Sequence, residues 1–241
     1  MEPLNEKCLR ERRALVVNDV FKLRQHMGRK VLNVLDVGAN IGLFSQCASI
    51  LFPEAQIIAL EPCKEIFKVL KRNVEFLGTV EPINMGFGVD GHVKPILDDS
   101  FPLGSMAKRC SHKEEGALPS MSLPTLVNKY LKKEGEFLFK FDCEGAEASL
   151  VGDEESEGIL KEALHIGMEV HFYAKPEKTH EWLEWSVYND WVHDVFEATH
   201  DILYHESSKK IGYGHYVLRR KGLGFTRLPY MEIGSIKPDR P

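Results

Sequence analysis

The sequence predicts an α/β fold built on a mostly parallel sheet with helices on both faces. Three observations lead there. Short, apolar, β-branched runs recur at Val31 to Val37 and Gln56 to Leu60, as expected of strands covered on both sides. Helix-length amphipathic stretches lie between the runs. Glycines and prolines mark the junctions, and no internal repeat or low-complexity tract divides the 241 residues. The expected organisation is an N-terminal helical extension over 1–30, one domain over 31–220 and a C-terminal tail over 221–241.

In chain order, Val16, Val20, Leu23 and Met27 recur at three- and four-residue spacing before Gly28, which reads as an amphipathic helix with a glycine stop. Val31 to Val37 is the first strand. Lys64 to Leu77 is a helix with Ile66, Phe67, Leu70 and Val74 inward and Gly78 at its end. Val80 to Met85 holds Pro82, which lacks a ladder N–H, so this strand belongs at a sheet edge. Val93 to Leu97 reads as a short strand. The Gly-, Ser-, Pro- and charge-rich stretch from Asp98 to Ser120 has no clear period and reads as a mobile loop. Ser122 and Pro124 open a helix over Leu123 to Leu131, closed by Gly135. Phe137 to Phe141 and Leu164 to Val170 are strands. Lys178 to Tyr188 reads as a helix, and Val192 to Thr199 with His215 to Arg219 as strands that complete the sheet.

The formal net charge of −5 argues against a general nucleic-acid binder, with the locally basic stretch Lys7 to Lys30 read as a solvated helix face. Five cysteines, widely spaced and without a Cys-x-x-Cys pair, indicate neither a disulfide framework nor a zinc site. The first thirty residues lack the apolar run of a secretory leader, and no segment is long enough to span a bilayer. The expected location is cytoplasmic.

The candidate site starts at the end of the first strand, Asp36-Val37-Gly38-Ala39-Asn40-Ile41-Gly42. Gly38 permits a turn that a side chain would obstruct, Gly42 permits close packing of the next helix, and Asn40 is among the few residues that tolerate positive φ. Glu61, nineteen positions beyond Gly42 at the end of the second strand and followed by Pro62, is placed to accept hydrogen bonds from ribose hydroxyls. A dinucleotide loop has Gly-x-Gly-x-x-Gly and points a helix N-terminus at a pyrophosphate. Here the spacing is Gly-x-x-x-Gly and an acid precedes it. That combination suits S-adenosylmethionine, which has a ribose, two cationic groups and no phosphate. In open α/β sheets ligands sit beyond the carboxyl ends of the strands, where Asp36, Glu61, Asp142, Glu169 and His171 all fall by this reading.

These blocks resemble the FkbM-type S-adenosylmethionine-dependent methyltransferases. The hallmarks of that family look like Asp36 to Gly42, like Glu61-Pro62, and like Lys140-Phe141-Asp142-Cys143-Glu144-Gly145-Ala146-Glu147; Met168-Glu169-Val170-His171 resembles its Glu-Val-His strand. The resemblance spans Val31 to His171. It implies the seven-stranded class I, Rossmann-like methyltransferase fold with the last strand antiparallel, cofactor contacts from Asp36, Gly38, Ala39, Asn40, Gly42, Glu61, Pro62 and Asp142, and O-methylation of a hydroxyl on a glycan or small natural product. One departure stands out: the family commonly has Thr-Leu-Asp before its fourth strand, and Val127 follows Thr125-Leu126 here.

A hydroxyl is a poor nucleophile near neutral pH, so a base or a metal ion must help remove its proton. Asp142 is the first candidate base, followed by Glu144 and His171. Glu144 reads equally well as a helix cap, and Glu147 as a capping or supporting residue. Lys140 either neutralises the acidic cluster or snorkels from the sheet. Asp142, Glu144 and Glu169 are an alternative oxygen-ligand set for a divalent ion, although a metal is not the primary expectation. His200, His205 and His215 are too scattered to read as a metal cluster, and Phe172, Tyr173, Trp182, Trp185 and Trp191 read mostly as core. The alternatives are an N-methyltransferase acting on a peptide or nucleobase, a non-catalytic module that keeps the fold, and a dehydrogenase. Absence of an Asn/Asp-Pro-Pro-Tyr/Phe block weighs against the first, the intact glycine turn and Glu61 against the second, and the missing third glycine against the last. Acceptor specificity is expected from Asp98 to Ser120, the N-terminal segment and the residues after His171. Oligomeric state is not encoded in any readable motif.

Overall fold

In the computed structural model the described residues are 19, 21–97, 105–109, 115–132, 134–171, 183–208 and 213–222. Val31–Val37 (β1), Gln56–Leu60 (β2) and Val80–Ile83 (β3) form one flank of the main sheet. Glu136–Asp142 (β8), His165–His171 (β9), His200–Ser208 (β10) and Tyr213–Arg220 (β11) form the other. The order across the seven strands is β10-β11-β9-β8-β1-β2-β3. Pairings β1–β2, β1–β8, β2–β3 and β8–β9 are parallel, whereas β11 runs antiparallel to both β9 and β10. Pro82 lies on β3 at the sheet edge, where its missing N–H leaves no ladder bond broken. The crossover from the β1 flank to the β8 flank lies between β1 and β8, and it is beyond the carboxyl ends at such a switch point that open α/β sheets bind their ligands.

Side-chain alternation along the strands divides the core in two. Val34, Ile57 and Leu138 pack against Phe44 and Ala48 of Leu43–Leu51 (α1), and Ala59 packs against Leu70 and Val74 of Lys64–Val74 (α2). On the opposite face Leu35, Ile58, Phe139 and Ile166 meet helices Leu123–Tyr130 (α3), Glu154–Lys161 (α4) and Trp185–Phe196 (α5) through Leu126, Leu160, Tyr188 and Phe196. Each of the buried Val, Leu, Ile and Phe side chains among these contributes roughly 1.5–3 kcal/mol of burial free energy. Ser122 caps α3 by accepting from the Thr125 N–H, as its sequence predicts; the helix ends at Tyr130, with Leu131 rather than Gly135 as its C-cap.

Several expectations are corrected. The stretch from Asp98 to Ser120 contains strands: Ser105–Arg109 (β6) and Leu118–Met121 (β7) join Gly91–Leu97 (β5) and Gly86–Phe87 (β4) in a second sheet of order β4-β7-β5-β6. Backbone pairing replaces the hydrophobic period that is missing from the sequence. Phe87 anchors this sheet against Phe141, whose ring centroid lies 5.5 Å away, one residue before Asp142. Val192 to Phe196 is helical because Tyr188, Trp191, Val192 and Phe196 bury one face of α5 at helical spacing. The missing strand is β10, whose polar sequence pairs only with β11 at the other sheet edge. Near the N-terminus a short 3-10 turn covers Leu23–His26, and Asp19 and Lys22 have φ values of 48° and 53° that interrupt the expected helix; Val16 lies outside the described residues. The predicted helix Lys178 to Tyr188 lies outside them as far as Trp182, and α5 starts at Trp185. Cys47, Cys63 and Cys143 are free thiols, and among the described residues no helix is long and apolar enough to cross a membrane.

The N-terminal turn is tied to the sheet by a buried histidine pair. His26 Nε2 lies 3.0 Å from His165 Nδ1, and His165 Nε2 lies 2.8 Å from the Phe21 carbonyl. Burial, then Arg29 and Arg219, push His26 down to about 4; burial and the neighbouring His26 push His165 well below its ordinary value. At these two histidines the unfolded chain therefore binds more protons than the folded one between pH 4 and 6.5, so their contribution to stability falls as pH drops through that window. For His26 alone the loss reaches about 2 kcal/mol at pH 5. In thermal melts from pH 7 to 5, His26→Asn is expected to lose less stability on acidification than the unaltered protein; parallel slopes would disprove the assignment.

Candidate active site

The turn after β1 is fixed by its neighbours on both sides. Gly38 has φ +73°, and a Cβ there would sit 1.8 Å from the carbonyl oxygen of Asp142, so the β8 backbone crosses where a side chain would be. Asn40 adopts φ 51°, the left-handed conformation expected of it, and its Oδ1 accepts from the Ile41 N–H at 2.8 Å. Gly42 has φ +88°; its absent side chain leaves room for Leu70 and Val74 of α2. That differs from the expected contact with the helix that follows it. The Ala39 N–H donates to the Leu60 carbonyl, 2.8 Å away, stitching the turn to the end of β2.

Glu61 completes this stitching. Its Oε2 accepts from the Asn40 N–H (3.1 Å) and its Oε1 from the Cys63 N–H (2.8 Å). Asn84 clamps the same corner by donating to the carbonyls of Glu61 and Pro62. Asn73 of α2 donates to the Ile41 carbonyl at 2.8 Å. No sequence motif pointed to either asparagine, since each acts from a different element through backbone atoms.

Asp36 is fully buried and bonded within the protein. Oδ2 accepts from Ser45 Oγ at 2.6 Å, and Oδ1 lies 3.2 Å from Lys140 Nζ. The same ammonium donates to the carbonyls of Gly38 (2.7 Å) and Val37 (3.2 Å) and lies 3.6 Å from Asp142 Oδ2. Cross-strand register sets Asp36 beside Lys140, so the lysine neutralises the acids, the first of its two expected roles. Burial opposes the ammonium, but Asp36 and Asp142 outweigh it and raise its pKa. The reading of Asp36 as a negative charge that suits a cationic ligand is therefore revised: it is paired with Lys140, and through that lysine it holds the glycine turn.

Beyond Lys140 lies a cluster of carboxylates and imidazoles. Asp142 and Glu169 are register partners on β8 and β9, and His171 follows on the same face. His171 is buried, with Nδ1 2.7 Å and its backbone N 2.8 Å from Glu147 Oε1. Its Nε2 lies 3.4 Å from Glu144 Oε2 and 3.5 Å from Glu169 Oε1. Glu169 Oε2 is paired with His215 Nε2 from β11. Burial, followed by Glu169 and Glu144, raises the Asp142 carboxyl to about 7 against the opposing pull of Lys140 and His171. For His171 burial disfavours the charged ring, yet Glu147 leads the carboxylates that raise it well above the usual histidine range. Glu147, 1% exposed, also accepts from the Gly145 N–H and from Cys143 Sγ.

The structure thus gathers the predicted residues into two adjoining groups. Gly38, Ala39, Asn40, Gly42, Glu61 and Pro62 form the turn at β1 and β2; Asp142, Glu144 and His171 form the cluster at β8 and β9; Asp36 and Lys140 link them. Glu144 has φ 55° just before the 3-10 turn Ala146–Leu150, and Gly145 occupies the cap position considered for the acid. His215 enters the site contrary to expectation, because antiparallel pairing sets it opposite Glu169. Its signal was its place in the alternation of β11, which a search by sequence spacing does not register. Trp185 and Trp191 are packing residues, stacked on Tyr216 and buried at 6% exposure respectively; Phe172, Tyr173 and Trp182 lie outside the described residues.

No protein-family model and no curated protein sequence matches the chain. Among solved structures it is similar to a fibrillarin/Nop5p complex, at 15% identity over 87% of this chain and 82% of that chain with TM-score 0.48. It is also similar to a rRNA methylase from Streptococcus thermophilus, at 8% identity over 85% and 95% of the two chains with TM-score 0.48. A SAM-dependent methyltransferase from Aquifex aeolicus shares 16% identity over 88% and 96%, with TM-score 0.42. At such identities and TM-scores these likenesses carry no argument about chemistry. The fold rests on its own strand order: seven strands, mostly parallel, with β11 reversed, as in Rossmann-like class I methyltransferases.

Proposed function

We propose that this protein is an S-adenosylmethionine-dependent methyltransferase that methylates a hydroxyl of a glycan or small natural product. The observation that carries the reading is the corner where Glu61 accepts from the Asn40 N–H beside the positive-φ turn of Gly38 to Gly42. An acid at this corner suits ribose hydroxyls and opposes a phosphate, and Lys140, the cation nearest the turn, is already engaged with Asp36 and Asp142. The donor set therefore fits a phosphate-free adenosine compound. Such a cofactor supplies an electrophilic methyl group on a sulfonium. Glu61 and the turn hold the adenosine end, while Asp142, Glu144 and His171 face the acceptor, and a carboxylate of this cluster takes its proton. The likeness of three ordered sequence blocks to the FkbM-type family supports oxygen as the methylated atom, and the net charge of −5 favours an acceptor that is not a polyanion.

Titration calorimetry with S-adenosylhomocysteine and with NAD tests the cofactor. Saturable binding of the first alone is expected; binding of NAD alone would overturn the reading. Glu61→Ala is expected to weaken cofactor binding at least tenfold, since it removes the ribose acceptor and frees two backbone N–H groups that hold the turn. Unchanged affinity would place the ribose elsewhere. Labelled methyl donor offered with glycans, small alcohols, peptides and RNA, followed by mass location of the methyl group, separates O- from N-methylation.

A further inference from the structure

We propose that Asp142, Glu169 and His171 form a divalent-cation site at the acceptor end of the cleft, for an ion of the Mn2+ or Mg2+ class. This rests on the methyltransferase reading for its chemical role, though not for its geometry. One ligand atom from each of the three residues lies within 4.8 Å of the other two. They come from neighbouring strand ends held by the β8–β9 ladder, so the backbone sets their spacing. An ion about 2.1 Å from its ligands needs neighbouring ligands about 3 Å apart. His171 Nε2 and Glu169 Oε1, already 3.5 Å apart, require only a small contraction.

What separates this set from an ordinary group of surface acids is the support behind each ligand. His171 is tied through Nδ1 to the buried carboxylate of Glu147, which turns Nε2 toward Asp142 and Glu169. Glu169 is tied through Oε2 to His215, which turns Oε1 the same way. Asp142 is tied through Oδ2 to Lys140. Three residues outside the trio, Glu147, His215 and Lys140, thus hold the three ligands from the back, the arrangement that orients ligands in metal sites. Two carboxylates and one imidazole make a mainly oxygen set with one nitrogen, which Mn2+ accepts readily and Mg2+ less so. With a hydroxyl as the next ligand, the ion lowers the acceptor's pKa. The O–H proton passes to Glu144, the acceptor oxygen forms its bond to the methyl carbon, and the sulfonium sulfur keeps the electron pair of the broken S–CH3 bond.

Mn2+ titrated into the full chain and followed by electron paramagnetic resonance tests the site, with S-adenosylhomocysteine titrated separately into the same samples. One ion per chain is expected, bound at least tenfold more weakly by Glu169→Gln and Asp142→Asn, and about 10–100-fold more weakly by Glu147→Gln. Paramagnetic broadening of the His171 ring resonances in the unaltered protein gives a second readout that needs no variant. Absence of a saturable Mn2+ signal and of His171 broadening overturns the site. Equal affinity in melt-checked Glu169→Gln and Asp142→Asn variants also overturns it. Mn2+ binding without S-adenosylhomocysteine binding would sustain the ion site and sink the cofactor reading; the reverse would sink the ion site alone.

Discussion

Gly38→Ala is expected to destabilise the protein by about 2–5 kcal/mol, from overpacking of roughly 1–3 kcal/mol and left-handed backbone strain of roughly 1–2 kcal/mol. The overpacking arises because a methyl group would lie 1.8 Å from the Asp142 carbonyl, and that atom belongs to a strand end with no freedom to rotate away. Gly28 provides the control. It has a similar φ of +82° with nothing within 4 Å of its Cβ position, so Gly28→Ala isolates the strain. Urea unfolding of the two variants should show the larger loss at Gly38. Equal losses would mean that the β1 turn and the β8 end do not approach so closely. The same displacement moves Asp142 relative to Asn40 and Glu61, so cofactor affinity is expected to fall along with stability.

Lys140→Met is expected to cost about 3–5 kcal/mol, because it leaves Asp36 as an uncompensated charge in the core. Asp36→Asn should be damaging for the reciprocal reason, with the Lys140 ammonium left facing the Val37 and Gly38 carbonyls and the Asp142 carboxylate. Combining the two substitutions should recover much of the loss, since a neutral pair removes both buried charges. Chemical denaturation of both single variants and the double variant measures this coupling. Simple additivity would show that Lys140 and Asp36 do not act as a pair. Ser45 is the third member, and the pair places it on α1 against the end of β1.

Much of the scaffold was legible because its signals are local. Val31 to Val37 and Gln56 to Leu60 match β1 and β2 residue for residue, since strands buried on both faces are mainly apolar, with Asn33 and Asp36 the buried polar exceptions in β1. The edge position of Pro82 and the positive φ of Asn40 follow from single-residue stereochemistry. The regions misread were those whose partners are remote. The sequence predicts a strand at Val192 to Thr199, but burial against the far face of the sheet makes a helix of Val192 to Phe196. β6 and β7 take their order from pairing with β5, and β10 from pairing with β11, so their own side chains carry little periodicity.

The same division runs through the site. By itself the sequence determined the β1–turn–α1 unit, the acid at the end of β2 and the acids at the end of β8, because a glycine turn and a strand end are written in adjacent residues. Only the tertiary structure decided that Asp36 faces Lys140 rather than a ligand, that Glu147 orients His171, and that His215 reaches Glu169. Those partners are joined by strand register and by a buried carboxylate. Neither leaves a trace in residue spacing, and the strong dependence of charge pairing on distance settles which acids are neutralised and which still face the cleft.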